Sequence, residues 1–181
     1  FVNYKSEKDK KKIELQILVP NNNEKFEKIL NESIIISKAV NKTRNMVNTP
    51  PADFYPEVMA KTAKKLARSA DIEVKIEGEK YLKENGMNAM LSVGRASVHE
   101  SQLIHLTYKP KNAQAKIVLV GKGLTYDSGG LSLKPADFMV TMKSDKSGGC
   151  AVMSTLWAIA KLELPFEVHA IVGAVENMIG G

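Results

Sequence analysis

The chain has 181 residues and a formal net charge of +6, with 44% hydrophobic and 25% charged residues. These proportions are typical of a globular protein and exclude a disordered, collagen-like or mucin-like chain. Cys150 is the only cysteine, which excludes an intrachain disulfide and a cysteine-rich zinc module. No apolar run approaches the roughly 20 residues needed to cross a bilayer.

The positive charge is concentrated in the first part of the chain. Residues 116–181 contain six basic and six acidic side chains, so the excess of positive charge precedes them. The densest basic cluster is formed by Lys8, Lys10, Lys11 and Lys12. Such lysines can contact nucleic-acid phosphates, but no aromatic residues alternate with them to stack on bases. We therefore favour a solvated loop or strand edge, with nucleic-acid binding as the alternative.

The first predicted elements are a strand and two helices. Apolar and polar residues alternate over 13–17 and run on into two more apolar residues at 18–19, which is typical of a half-buried strand. Apolar residues at helical spacing then predict one long helix over 24–47. The Asn-Thr-Pro-Pro sequence at 48–51 ends it, because the residue before a proline avoids the α conformation. A second helix is predicted from Pro56, since proline suits the first helical position.

The middle of the chain predicts two strands around a short helix. Alternation over 72–76 and again over 103–108 indicates the strands. The short helix is predicted over 79–84 and is closed by Asn-Gly. Residues 88–97 have no clear periodicity, and a glycine within them marks a turn.

The last third predicts a β–loop–α–β unit. The wholly apolar run 117–120 is typical of a strand buried on both faces. A glycine-rich loop over 121–149, a helix over 147–162 and a second buried strand over 168–175 follow. Such a unit implies parallel strands. The predicted fold class is therefore α/β, with a central, largely parallel or mixed sheet flanked by helices, and so long a loop is usually functional.

The predicted loop contains the residues best suited to chemistry. It begins at the carboxyl end of a strand, where open α/β sheets bind ligands. Its glycines fit neither of the common phosphate-binding patterns, and Ser128 and Ser132 lack the context of a nucleophilic serine. Carboxylates at a strand end can hold divalent metals, and paired metals can activate water. The candidates are Lys122, Asp127, Lys134 and Asp145, although Asp145 could also cap the following helix.

Two segments of the loop carry a resemblance to a known family. GKGLTYDSGGLSLKP at 121–135 and MKSDKSGG at 142–149 resemble the signature of the leucyl aminopeptidase family of two-metal cytosolic enzymes. The resemblance is collinear from about residue 38 to 181 and includes NTPP at 48–51, VGRAS at 93–97 and AVENMIGG at 174–181. It implies a cytoplasmic peptidase that removes N-terminal residues from peptides. It also implies two Mn²⁺ or Zn²⁺ ions per subunit, a bicarbonate that assists as general base, and a homohexamer.

The resemblance also implies a role for each candidate. Lys122, Asp127 and Asp145 correspond to metal ligands, and the lysine must be neutral to donate its lone pair. Lys134 corresponds to the charged lysine that polarises the scissile carbonyl. Met142 corresponds to a residue of the pocket for the substrate's first side chain, although by itself it would be interpreted as a core residue.

By the same resemblance, the chain is expected to be an internal part of a longer enzyme. Residues 1–22 would be the tail of an N-terminal domain, 23–48 a linker helix and 49–181 the first part of the catalytic domain. The family's remaining ligands lie in an Asn-Thr-Asp-Ala-Glu-Gly-Arg segment, which this sequence does not contain. The chain by itself is therefore expected to be inactive, with a metal-free structural fragment as another alternative. Packing or hydrogen-bonding roles are expected for His105, Cys150, Trp157, His169 and Glu176.

Overall fold

A computed structural model describes residues 4, 6, 14–19 and 24–180. The basic cluster at residues 8–12 lies outside the described residues, so nucleic-acid binding stays a prediction. The strand predicted over 13–19 is wrong for its described part, because 14–19 has no regular secondary structure. Leu15 and Leu18 are 80% and 93% exposed, and no described strand pairs with this segment. A segment with alternating residues forms a strand only where a neighbouring strand and a core are available to it.

The two predicted helices at the start of the chain are confirmed. Helix α1 spans Glu24–Asn48, and helix α2 spans Pro56–Arg68 with its proline in the first turn. A 3-10 turn at Pro51–Asp53 lies between them. Helix α1 buries Ala39 and Met46 against the rest of the chain. Among the described residues, no helix has the length and apolar character that a membrane crossing requires. The domain limits at residues 22 and 48 stay predictions.

Four strands form one mixed sheet in the order β1-β2-β4-β3. Strand β2 is antiparallel to both β1 and β4, whereas β3 and β4 are parallel. The predicted α/β class and the parallel pair are therefore confirmed. The strands are β1 (Glu73–Glu77), β2 (Gln102–Tyr108), β3 (Ala115–Asp127) and β4 (Phe166–Asn177).

Helices α3 (Glu79–Glu84) and α4 (Asn88–Gly94) connect β1 to β2. The first confirms the short predicted helix, and the second assigns the segment that periodicity left open. Helix α6 (Ser147–Lys161) connects β3 to β4, as predicted. Helices α2 and α6 pack on the sheet around a core that includes Met59, Ile104, Leu156, Trp157 and Val172.

Strand β3 differs from its prediction in burial and in length. It lies at one edge of the described sheet, and Val118 and Val120 are 53% and 76% exposed. The expectation of a strand buried on both faces is therefore wrong, because an apolar run does not specify how many neighbours a strand has. The strand continues to Asp127, so the predicted loop begins only after it. Helix α5 (Ala136–Met139) and a 3-10 turn at Met142–Ser144 divide the remainder.

Candidate active site

An irregularity in β3 aligns two of the predicted site residues. Lys122 and Asp127 are five residues apart, so regular alternation would place them on opposite faces of the sheet. The pairing with β4 shifts after Leu124, and the two residues pair with Gly173 and Asn177, which are four residues apart. Lys122 and Asp127 therefore lie on the same face. Bulges that re-aim side chains in this way are common beside active sites.

Asp127 accepts several hydrogen bonds at the end of β3. Asn177 Nδ2 and the Gly129 N–H donate to its Oδ1 at 2.7 Å and 3.0 Å, and Lys134 Nζ donates to its Oδ2. Burial by itself raises the pKa of Asp127, but the donors from Lys134, Gly129 and Asn177 outweigh it, so the pKa is lowered. The carboxylate is thus ionised at neutral pH and has its oxygen atoms oriented.

A tight turn brings Lys134 back over Asp127. Gly129 and Gly130 have φ values of +90° and +67°, a conformation that favours glycine, and the chain reverses there. The Lys134 N–H donates to the Ser128 carbonyl at 2.9 Å, which closes the turn. Lys134 Nζ also lies 3.1 Å from Met142 Sδ. The structure thus brings Lys134, Asp127 and Met142 together.

Lys122 and Asp145 form a second pair. Lys122 Nζ lies 3.2 Å from Asp145 Oδ1, and the two side chains are 63% and 20% exposed. Asp145 follows the 3-10 turn at Met142–Ser144 and precedes α6. The N-cap of α6 is Lys146, and that end of the helix has no side-chain capping hydrogen bond. The described contact of Asp145 is therefore with Lys122 and not with the helix it was considered to cap.

Close packing between β3 and α6 explains how Asp145 reaches Lys122. A Cβ atom at Gly121 would lie 2.6 Å from the Gly148 oxygen and 2.7 Å from Gly149 Cα. Glycine is needed there because the strand backbone lies directly against the first turn of the helix. Asp145, two residues before that helix, is thereby held beside the strand that carries Lys122.

Lys146 is a residue of this region that the sequence analysis did not single out. Its side chain is wholly buried, and its Nζ donates to the Lys143 carbonyl and, at 3.0 Å, to the Thr49 carbonyl. Burial lowers the pKa of Lys146 to about 8, while Cys150 raises it and Lys143 lowers it to smaller extents. A lysine in a polar stretch is usually interpreted as solvated. The available signal was its position inside MKSDKSGG, directly before an apolar helix.

Asn177 was also missed, although it lies in the AVENMIGG segment that contributed to the resemblance.

The residues expected to be structural have matching environments. Cys150 is wholly buried, and burial raises its thiol pKa to about 12 despite an opposing effect of Lys146. Glu176 accepts a hydrogen bond from Ser97 Oγ. His105 Nε2 and His169 Nδ1 lie 2.9 Å apart.

The donor set fits a divalent cation in part. Asp127 and Asp145 offer hard oxygen ligands, and Lys122 offers an amine. Each carboxylate is already paired with a lysine nitrogen, so the site accommodates positive charge. Within residues 24–180 and the shorter described stretches before them, no three His, Cys, Asp or Glu side chains cluster as a metal site. The described donors are thus fewer than the four ligands of a typical zinc site.

Comparison with known proteins identifies similar sequences. The model of the cytosol aminopeptidase family, catalytic domain, matches residues 41–181. A "Probable cytosol aminopeptidase" from Wolinella succinogenes is 51% identical over 189 residues, covering 100% of this chain and 39% of its own length. One of the same name from Helicobacter hepaticus is 52% identical over 182 residues, covering 99% of this chain and 38% of its length. The chain thus spans less than two-fifths of these relatives.

Solved structures resemble the fold as well. An apo leucyl aminopeptidase from Trypanosoma cruzi superposes with a TM-score of 0.81 at 34% identity, covering 83% of this chain and 30% of that one. The bottromycin maturation enzyme BotP in complex with Mn superposes with a TM-score of 0.79 at 35% identity, covering 83% and 32%. The sheet and helices described above are therefore those of leucyl aminopeptidase catalytic domains.

Proposed function

Because the chain belongs to the cytosol aminopeptidase family, whose catalytic domain it matches over residues 41–181, we propose that the whole protein is a metal-dependent aminopeptidase that removes N-terminal residues from peptides. The observation that carries this proposal is the pair of lysine–carboxylate contacts, Lys134 with Asp127 and Lys122 with Asp145. The first lies at the carboxyl end of β3, which is the usual ligand-binding edge of such a sheet, and the second involves a residue five positions earlier on the same strand.

Lys122, Asp127 and Asp145 would hold two divalent ions. Such ions, when bound, supply Lewis acidity and lower the pKa of water into the neutral range. The Mn complex of BotP supports Mn²⁺ as the metal, with Zn²⁺ as the alternative. To ligate through its amine, Lys122 must lose its proton and its contact with Asp145, and a nearby dication favours that change. Since the described donors are too few for two ions, further ligands must come from other residues of the whole protein.

Lys134 would stabilise charge on the substrate. An ammonium group has three donor hydrogens, and the described contacts with Asp127 and Met142 account for two of them. The third can donate to the oxygen of the scissile carbonyl as negative charge develops there. Removing one such donor typically reduces kcat by about 10²- to 10³-fold.

Met142 would contribute apolar surface for the substrate's first side chain. Its sulfur lies 3.1 Å from Lys134 Nζ, so the pocket would be adjacent to the group that polarises the carbonyl. A flexible thioether can adapt to side chains of different shape. Through its contact with Lys134, Met142 would lie close to the first residue of a bound peptide.

Some proposed properties rest on the relatives and on the resemblance. The names of the cytosol aminopeptidase relatives support a cytoplasmic location. The homohexamer and the assisting bicarbonate are proposed because the resemblance implies them. Light scattering of the whole protein tests whether it is a hexamer. The 181 residues by themselves should be inactive, because they provide only part of the ligand set. Metal analysis of this chain distinguishes an incomplete metal site, which would retain some metal, from a metal-free structural fragment, which would retain none.

The experiment that tests the function measures hydrolysis of a leucyl chromogenic amide by the whole protein. Activity should disappear on chelation and return when Mn²⁺ or Zn²⁺ is added. Lys134→Met should lower kcat by about 10²- to 10³-fold with unchanged metal content. Lys143→Met is the matched control, since Lys143 lies in the neighbouring turn with an exposed side chain, and it should retain near wild-type turnover. Wild-type turnover by Lys134→Met would disprove the role of Lys134, and absence of metal-dependent hydrolysis would disprove the function.

A further inference from the structure

Lys146 is the largest wholly buried side chain in the described part of the protein. Lysine is almost never fully buried, because removing its amine from water is costly unless hydrogen bonds replace the lost solvent. Among the described residues, no carboxylate lies within ion-pair distance of Lys146. Its Nζ instead donates to two backbone carbonyls and lies 5.7 Å from the centre of the Phe54 ring.

The two carbonyls belong to segments that are far apart in sequence. One is that of Lys143, in the 3-10 turn immediately before Asp145. The other is that of Thr49, 97 residues earlier, where α1 ends at the Asn-Thr-Pro-Pro sequence. Helix α1 also contacts the 3-10 turn directly. Lys146 therefore joins the end of α1 to the short turn that carries Met142 and leads into Asp145.

We propose that Lys146 is a positioning residue, which holds the turn at Met142–Ser144 so that Asp145 and Met142 face the metal and substrate groups. The proposal rests on the proposed aminopeptidase function. Lys146 acts through the backbone of Lys143 and not by contact with a substrate. Hydrogen bonds that orient a ligand from outside the coordination sphere typically change metal affinity or activity by about 10- to 100-fold.

The Asn-Thr-Pro-Pro sequence at 48–51 explains why the Thr49 carbonyl is available to Lys146. Thr49 N–H donates to the Asn45 carbonyl at 3.1 Å, and its Oγ1 donates to the same oxygen at 2.7 Å, which anchors Thr49 to the last turn of α1. The prolines that follow stop the helix at this point. The Thr49 carbonyl is thereby free of the continuing helical pattern and is directed to Lys146.

The test is Lys146→Met in the whole protein. Methionine retains an unbranched apolar side chain of similar length but has no donor hydrogens. Calorimetric titration of Mn²⁺ into the metal-free protein should show an affinity about 10- to 100-fold weaker than that of the wild type. The far-UV circular dichroism should be unchanged, and kcat for the leucyl amide should fall at saturating metal because Asp145 and Met142 are misplaced.

Trp157→Phe is the matched control on the same helix. It removes the hydrogen bond from Trp157 Nε1 to Ser69 Oγ, 2.9 Å long, at a site remote from the turn. This variant should be less stable, yet it should bind Mn²⁺ with wild-type affinity. A purely structural role of Lys146 would make the two variants behave alike.

The outcomes separate this inference from the proposed function. If Lys146→Met has unchanged Mn²⁺ affinity and kcat, the positioning role is overturned. The proposed aminopeptidase function still holds in that case, provided that the wild type is active. A wild type without Mn²⁺ binding or hydrolysis overturns both. If Lys146→Met does not fold, Lys146→Leu replaces it, since leucine is also apolar and has no donor hydrogens, on a shorter side chain. An affinity about tenfold or more below wild type then supports the role, and wild-type affinity overturns it.

Discussion

The substitution Gly121→Ala tests the close approach of β3 to α6, on which the placement of Asp145 depends. The added Cβ atom would lie 2.6 Å from the Gly148 oxygen, 2.7 Å from Gly149 Cα and 2.7 Å from Val152 Cγ2. Non-bonded carbon atoms are most stable at about 3.5–4.0 Å. Two of the three neighbours are backbone atoms, so a rotamer change cannot relieve the overlap. The strand and the helix must move apart.

The expected cost follows from two opposing effects. Overpacking a well-packed interface costs about 1–3 kcal/mol. Replacing glycine also reduces the entropy of the unfolded chain, which stabilises the folded state by about 0.4–1 kcal/mol. Because backbone atoms are displaced, we expect the first effect to prevail, with a net destabilisation of about 1–2 kcal/mol. Moving α6 away from β3 should also separate Asp145 from Lys122 and weaken metal binding.

Urea unfolding of the whole protein measures the loss of stability. The midpoint of unfolding should be lower, and the slope of the unfolding free energy against urea concentration should be unchanged. Gly173→Ala is the matched control in the neighbouring strand. The three atoms nearest to a Cβ there all belong to the Met90 side chain, the closest at 3.2 Å, and a flexible methionine can move. We expect Gly173→Ala to change the stability by less than about 0.5 kcal/mol. Wild-type stability of Gly121→Ala would refute the inferred contact between β3 and α6.

Two further predictions concern the core. Burial raises the pKa of the Cys150 thiol from 9.0 to about 12, so the unfolded chain releases this proton at lower pH than the folded one, and this effect by itself lowers stability as pH rises from 9 towards 12. The pKa of Lys146, lowered from 10.5 to about 8, acts in the opposite direction between those two values. The Cys150 effect is measured as a difference: between about pH 8 and about pH 10.5, the urea midpoint of Cys150→Ala should change more favourably than that of wild type, and the same pH dependence in both would contradict the assignment to Cys150. Leu156 is wholly buried, so Leu156→Ala should cost about 2–5 kcal/mol in the same unfolding assay. Val98 is 94% exposed, and Val98→Ala should cost less than about 0.5 kcal/mol; equal losses in both would contradict the described packing.

Helix positions were predictable because their signals are local. The signals act within a few residues: the apolar spacing of α1, the prolines that follow it and the proline that begins α2. The structure has both helices where these signals predict them. The same holds for α3 and α6. Family membership was predictable for a similar reason, since the GKGLTYDSGGLSLKP and MKSDKSGG segments are contiguous.

Strand environments were less predictable because they depend on partners. Apolar and polar residues alternate over 14–17 as they do in β1, yet only β1 has a neighbouring strand among the described residues. The apolar run in β3 would suit a central strand, but its place at the edge of the described sheet leaves Val120 exposed. A residue pattern specifies which side chains favour burial and does not specify what covers them.

The sequence by itself determined helices α1, α2, α3 and α6, the α/β class, the family and the identity of the candidate residues, because each rests on local periodicity or a contiguous motif. Only the tertiary structure decided how those residues meet. The shifted pairing of β3 places Lys122 and Asp127 on one face, and the glycine contact with α6 brings Asp145 to Lys122. The burial of Lys146 against Thr49 joins residues 97 positions apart. Such contacts depend on backbone geometry and on the packing of distant segments, which no local pattern encodes.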